Sequence, residues 1–481
     1  MRGSRQGVRP DFETDVCVVG GGPAGATVAR RLAALGHRVC LLERAAHPNR
    51  KVGAALPPGI LPLLEALGLR ARVEGESFVR PTRVVNLWAE EAANVEAHTG
   101  AQGFVVDRAR FDKILLDAAE EAGVRVVRPA RVTRTSRDAE GRWNVEVISD
   151  AGPSHVKAAF VVDATGKGSA VAGRRERYSP RTVALNAYWR GVRSDPSEVL
   201  IEAGPDEWFW GATLPDGTFN AMVFLDPARC RDASGRNLES LYRSLLERST
   251  LLRRCLGGTL AGAVKGLDAS SYAEAHPVGE RSIKVGEAAF SVDPLSSQGV
   301  QAAVASGLQA AVVVNTILRS EGDADAAAQF YRDGLREAVA RHARFAASYY
   351  SQARSGRGSR FWQSRSSAVS EVGEAESRFD SASPPRGELR LSLSGEAALV
   401  ETPCVVGDFV RSVPALVHPG IGRPVAYFGD VEASRLLGAL PEAATAAEIV
   451  RSWAPRVAPR EGFELVSWLY RAGVLVGAAR D

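Results

Sequence analysis

Three glycines, Gly20, Gly22 and Gly25, stand in a G-x-G-x-x-G spacing, and a carboxylate, Glu43, follows about twenty residues later. A glycine at the first place permits a tight turn. At the second it lets the backbone come up to a pyrophosphate, and at the third it lets a helix lie close to a strand. The start of such a helix offers unpaired N–H groups and the positive end of its dipole to phosphates. A carboxylate closing the next strand accepts hydrogen bonds from ribose hydroxyls. The chemistry these residues imply is capture of the ADP half of a dinucleotide.

Elements of the right kind surround them. Asp15-Val-Cys-Val-Val19 is a short apolar strand, Ala26 to Leu35 reads as a helix and Arg38 to Glu43 as a second strand. This makes a βαβ unit of about thirty residues. Trp143 to Ile148 and Phe160-Val-Val-Asp163 read as further strands. From Thr182 to Val192 and from Glu207 to Phe224 the pattern becomes alternating and aromatic, as in an antiparallel sheet with one buried face. Tyr188, Trp208 and Trp210 are candidates for an aromatic-binding wall, against the competing reading that they are core. Gly299 to Ser320 is an alanine-rich helix, and 354–386 reads as a linker or mobile helix–loop segment. A small module follows. It has a strand-like Val425 to Gly429, a helix near Leu436 to Leu440, and Thr445 and Glu448 spaced as a capping box. Helical spacing over Phe463 to Arg471 and a wing strand at Gly473 to Val476 complete it.

Composition narrows the choices. A net charge of +4, carried mostly by scattered arginines, argues against a nucleic-acid surface. No apolar run is expected to span a bilayer, and Met1 to Pro10 lacks an apolar signal core, so a cytoplasmic protein is expected. Seven scattered histidines and five separated cysteines show no metal-ligand spacing, so no metal is expected. Cys17 and Cys40 read as buried reduced thiols.

Several motifs resemble a known group. Ala24 with Leu41-Leu-Glu-Arg44 looks like the flavoprotein version of the fingerprint. Phe104-Val-Val-Asp-Arg-Ala-Arg-Phe-Asp112 is similar to the R-x-x-F-D element of aromatic hydroxylases, with Arg108 in the place of the arginine that touches the flavin. Val162-Asp-Ala-Thr-Gly166 resembles the turn beside the ADP portion. Val285 to Gly299 resembles G-D-A-A…D-P-x-x-G-Q-G, with Glu287 where the family has Asp. The chain is thus identified as a member of the FAD monooxygenases with the hydroxybenzoate-hydroxylase fold, a superfamily that includes the flavin-dependent halogenases. The resemblance implies FAD contacts from Gly20, Gly22, Gly25, Glu43, Arg44, Lys51, Arg108, Gly286, Glu287, Pro294, Gly299 and Val300. No second dinucleotide fingerprint is present, so NAD(P)H docking transiently or a separate flavin reductase is the expected reductant.

Within that superfamily, Lys51-Val-Gly-Ala-Ala-Leu-Pro-Pro58 resembles the halogenases' G-E-S-x-x-P segment, and Trp208-Phe-Trp210 their W-x-W-x-I-P element. The lysine those enzymes use for hypohalous acid has no counterpart. No lysine lies between Lys51 and Lys113, Arg80 and Arg83 are the nearby bases, and arginine holds its proton too firmly to substitute. Ser296 and Gln298 take the places of a carboxylate and a threonine. Hydroxylation of an electron-rich aromatic is the favoured expectation. A halogenase, a prenyl-chain reductase and a hydroxylase of a small aromatic natural product remain as alternatives. The near-neutral C-terminal module resembles small winged-helix modules, some of which bind peptides. A monooxygenase with such a module is similar to the flavoproteins that oxygenate a protein-borne tryptophan in tryptophylquinone formation. The fold expected is α/β. A Rossmann-like FAD-binding domain takes 1–180 and 270–353, and an antiparallel-sheet substrate domain takes 181–269 with part of 75–105. A linker at 354–386 and a winged-helix-like module at 387–481 follow.

Overall fold

The computed structural model describes residues 12–47, 51–89, 92–97, 100, 102–232, 238–353, 359–367 and 388–478. The chain divides into two compact units, 1–315 with 331–371, and 316–330 with 372–481.

In the first unit, Phe12–Val19 is a central strand, and Val16 to Val19 are buried. It pairs in parallel with Val39–Leu42 on one side and with Gly152–Asp163 on the other. Parallel inner strands are covered on both faces, which explains their near-continuous apolar sequence. Cys17 stands opposite Cys40 in this register, and both thiols are free. Burial raises both, Cys40 to about 12, so they stay protonated as core. The sheet continues through Arg125–Val127 on one side and through Ser282–Lys284 to Val278–Gly279 on the other. The helix Pro23–Ala34 opens on proline and is built largely of alanine, so it lies close to the helix Arg108–Glu121. Arg30 bridges the two by donating to the Ala118 carbonyl at 2.8 Å.

A second sheet is mixed in direction. Val183–Arg190, Phe219–Leu225, Glu207–Thr213 and Glu198–Ala203 pair antiparallel in that order, and Glu198–Ala203 then pairs in parallel with Arg83–Leu87. The expectation of one buried face is corrected here. All seven residues of Glu207–Thr213 and of Phe219–Leu225 are buried. Leu185, Trp189, Phe209 and Val223 pack under the helix Leu238–Arg248, while Ala184, Trp208, Trp210 and Phe224 form a separate cluster on the opposite face. Inside the stretch expected as a linker, Arg360–Ser366 is a helix whose Phe361 and Trp362 are buried in that second cluster. Of that stretch, residues 354–358 and 368–386 lie outside the described residues.

The helix Gly299–Arg319 has the length and mean hydropathy of a membrane span, against the expectation that no run is long enough. Its apolar window is 61% buried inside the protein, as in a core helix.

The second unit holds the helices Ala433–Gly438, Ala446–Trp453 and Pro459–Arg471 beside a sheet ordered Ala444–Thr445, Arg390–Leu393, Leu475–Gly477. This is a winged-helix-like arrangement. The Thr445–Glu448 capping box is formed in both directions. A long hairpin, Ala398–Val406 with Phe409–Val417, is added to it.

One buried ion pair in the first unit gives a stability test. Lys284 Nζ lies 2.8 Å from Glu274, and both side chains are at most 5% exposed. Burial alone would raise the Glu274 carboxyl, but Lys284 and the amides of Arg174 and His276 outweigh it and hold it below the ordinary value. A depressed carboxyl stabilises the fold above its unfolded pKa and loses that contribution as pH falls through the folded pKa. Lys284→Met strands the carboxylate and should cost about 3–5 kcal/mol near pH 7. The deficit should shrink in acid, where Glu274 is neutral. Thermal unfolding of both proteins across pH measures this, and a pH-independent deficit would contradict it.

Candidate functional site

The glycine turn is a contact of backbone on backbone. A side-chain carbon on Gly25 would stand 1.8 Å from the Gly20 carbonyl oxygen, so the helix can start against the strand only with glycine there. At Gly22 the same carbon would meet nothing within 4 Å. That opening faces a cavity of about 880 Å³. The Glu43 carboxylate closes the turn by accepting from Gly21 N at 2.6 Å and Ala45 N at 2.9 Å.

Across the cavity, Arg108 is buried and fixed. It donates to both oxygens of Asp112 at 3.0 and 3.2 Å and to the Val52 carbonyl at 2.7 Å. Lys51 Nζ lies 3.2 Å from the same Asp112. A further wall comes from Gly286 and Glu287, from Pro294, and from Gly299 and Val300 at the start of their helix. Behind Pro294, Asp293 is buried. It accepts from the Tyr350 hydroxyl at 3.0 Å and from Leu295 N at 3.0 Å. Burial raises the Asp293 carboxyl and pushes the Tyr350 phenol well up, so the phenol stays a donor.

The remaining wall is the aromatic face of the second sheet. Trp208 is stacked on Phe224 with centroids 3.7 Å apart, and only 1% of it is exposed. It acts largely as core, whereas Trp210 and the half-buried Tyr188 present more surface. Fourteen of the fifteen residues expected at the site line this one cavity. The fifteenth, Gly25, packs the turn from beneath. The bases considered for halide chemistry lie elsewhere: Arg83 pairs with Asp195, and Arg80 stacks over Phe104. Among the polar groups of the cavity that sequence reasoning missed are Asp112, Lys167 and Lys265. Asp112 was visible in the R-x-x-F-D element. The two lysines carry no local motif. Their rarity was the signal, since the whole chain has only six lysines.

A family model described as an FAD-binding domain matches residues 13–212. The chain is 29% identical over 378 residues to the tryptophan 2-halogenase of Chondromyces crocatus, covering 75% of this chain and 72% of that one. Among solved structures, a peptidyl tryptophan dihydroxylase essential for tryptophylquinone cofactor biogenesis is 25% identical with a TM-score of 0.73, over 96% of this chain and 100% of that one. The chain carries an FAD-binding domain and is similar to the tryptophan-halogenase-like branch of the FAD-dependent monooxygenases. The structure of the flavin-dependent halogenase CmlS shares the fold, with a TM-score of 0.79 at 24% identity over 97% of this chain and 96% of that chain. This flavoprotein is an FAD-dependent oxidoreductase. Its residues fit the cofactor. The opening above Gly22 leaves room for a pyrophosphate, Glu43 keeps acceptor capacity beyond its two backbone donors, and the volume sits in the upper range of ligand pockets.

Gly22→Val should leave the fold intact, because its side chain points into open space, and should remove FAD binding by filling the phosphate position. Titration of the apoprotein with FAD reads this directly. Glu43→Ala should weaken FAD by about 1.5–3 kcal/mol, one charge-assisted hydrogen bond. Wild-type affinity in both variants would reject the placement.

Proposed function

We propose that this flavoprotein hydroxylates an electron-rich aromatic, a tryptophan carried in a peptide or protein precursor. The observation that carries this is the continuity of the cavity, which runs from the glycine turn to the face bearing Trp210 and Tyr188. Reduced FAD with O2 supplies an electrophilic oxygen. We assign the ADP half to the glycine turn, Glu43 and Arg44, and the flavin end to Arg108, Glu287, Pro294 and the helix start at Gly299 and Val300. Backbone N–H groups at that helix start stabilise negative charge without a titratable side chain. The wall at Trp210 and Tyr188 holds the ring flat and keeps water from it. Electrons come from NAD(P)H or from a partner reductase.

The similarity to a named peptidyl tryptophan dihydroxylase over the whole chain supports a peptide substrate, with the winged-helix-like module as its docking element. A second reading, halogenation, is favoured by the names of other relatives, the tryptophan 2-halogenase among them. Against it stands the lack of lysine between 51 and 113.

The deciding experiment supplies reduced FAD, labelled O2 and high bromide to the protein with tryptophan-containing peptides, and weighs the products. Incorporated label without bromine is expected, and a brominated product overturns the hydroxylase reading. If the module docks the peptide, deleting 387–481 should lower product from a long peptide far more than from a short one, because remote binding energy positions the reacting ring. FAD content should be unchanged. Equal losses on both peptides would remove the docking role.

A further inference from the structure

On the cavity face of the second sheet, residues from four neighbouring strands fall in a single row. Trp210 stands opposite Met222, Met222 opposite Asn186, and Asn186 opposite Lys265. Opposed residues on antiparallel strands present their side chains to the same face, and all four line the cavity. With strands about 4.8 Å apart, the row covers roughly 14 Å of backbone from Trp210 to Lys265. It passes from an indole, through a thioether and an amide, to an ammonium.

The three lysines of the cavity differ in what they hold. Lys51 is paired with Asp112, and Lys167 donates to the Asp268 carbonyl. Among the described residues, Lys265 makes no ion pair and no side-chain hydrogen bond. Its neighbour in the row is committed, since the Asn186 side-chain Oδ1 accepts from Asn220 Nδ2 at 2.7 Å. The row therefore ends in one unmatched positive charge, at an end where Lys265 is exposed to water.

We propose that Lys265 recognises a carboxylate of the substrate while the aromatic ring lies toward Trp210. The substrate class is then an aromatic acid, or an aromatic side chain with a peptide carboxylate a few bonds away. This rests on the reading of the sheet face as the substrate wall. An ammonium meets a carboxylate through charge-assisted hydrogen bonds. Exposure to solvent keeps the gain modest, so a preference of roughly two- to fivefold over a neutral analogue is expected.

The test uses the FAD-loaded, oxidised protein and needs no turnover. Indole-3-propionate and its neutral amide are titrated, and binding is read from the change in flavin absorbance. The acid should bind more tightly than the amide, and added salt should weaken the acid alone. Lys265→Met should erase the preference while leaving the amide's affinity unchanged, and Trp210→Ala should weaken both ligands. A preference that survives in Lys265→Met, or none in the wild type, overturns the assignment to Lys265. An amide that fails to bind, or binds Trp210→Ala as well as wild type, overturns the wall reading itself and the proposal with it.

Discussion

The site depends on one close approach, that of the Gly25 backbone to the Gly20 carbonyl. A third backbone joins them there, because a side-chain carbon on Gly20 would lie 2.3 Å from the Ala164 carbonyl oxygen. Three segments thus meet with no side chain between them: the end of Phe12–Val19, the start of Pro23–Ala34 and the turn after Gly152–Asp163. That turn is held in place by Asp163, which accepts from Thr165 N, Thr165 Oγ1, Ala170 N and Val171 N. With four donors satisfied, the buried carboxylate is compensated without a cation. The position of the helix start, and with it the first wall of the cavity, follows from this junction.

The opposite wall is fixed by a different rule. A strand presents successive side chains to opposite faces, and here both faces are apolar. One face is closed by the helix Leu238–Arg248, while the other is shared between core packing and the cavity. Trp88 illustrates the packing. It meets Trp362 edge-on at 5.3 Å and donates its indole N–H to the Tyr349 carbonyl at 2.8 Å. Aromatic pairs of this kind add about 0.5–1.5 kcal/mol beyond the area they bury. Rigid support behind the wall lets the exposed edges of Trp210 and Tyr188 keep one geometry.

What could be read from the sequence was what depends on neighbours along the chain. The glycine spacing, the strand before it and Glu43 after it are local, and the Thr445–Glu448 capping box is local as well. The second covered face of the sheet was not legible. Apolar residues on both sides of a strand imitate alternation with aromatics, and the covering helix comes from a separate stretch. The helix Arg360–Ser366 was hidden because its surroundings are rich in serine and arginine, and only Phe361 and Trp362 mark it. Arg365 reads as a solvent residue, yet it is 3% exposed and donates to the Arg181 carbonyl and the Thr182 hydroxyl. Lys265 comes to the cavity through strand pairing across nearly eighty positions, which no spacing rule captures.

The Tyr350–Asp293 hydrogen bond joins parts of the molecule that a motif search would treat separately. Tyr350 packs in the same cluster as Trp208 and Trp362, and Asp293 immediately precedes the Pro294 turn. The Pro294 wall of the cavity is therefore backed by Tyr350 and, packed beside it, Trp362, neither of which lines the cavity. Two relatives with identical fingerprints could accept differently shaped rings if they differ only in that backing layer. Efforts to retune such an enzyme have reason to look there, where a change of one methylene is transmitted through close-packed aromatics to the wall in front.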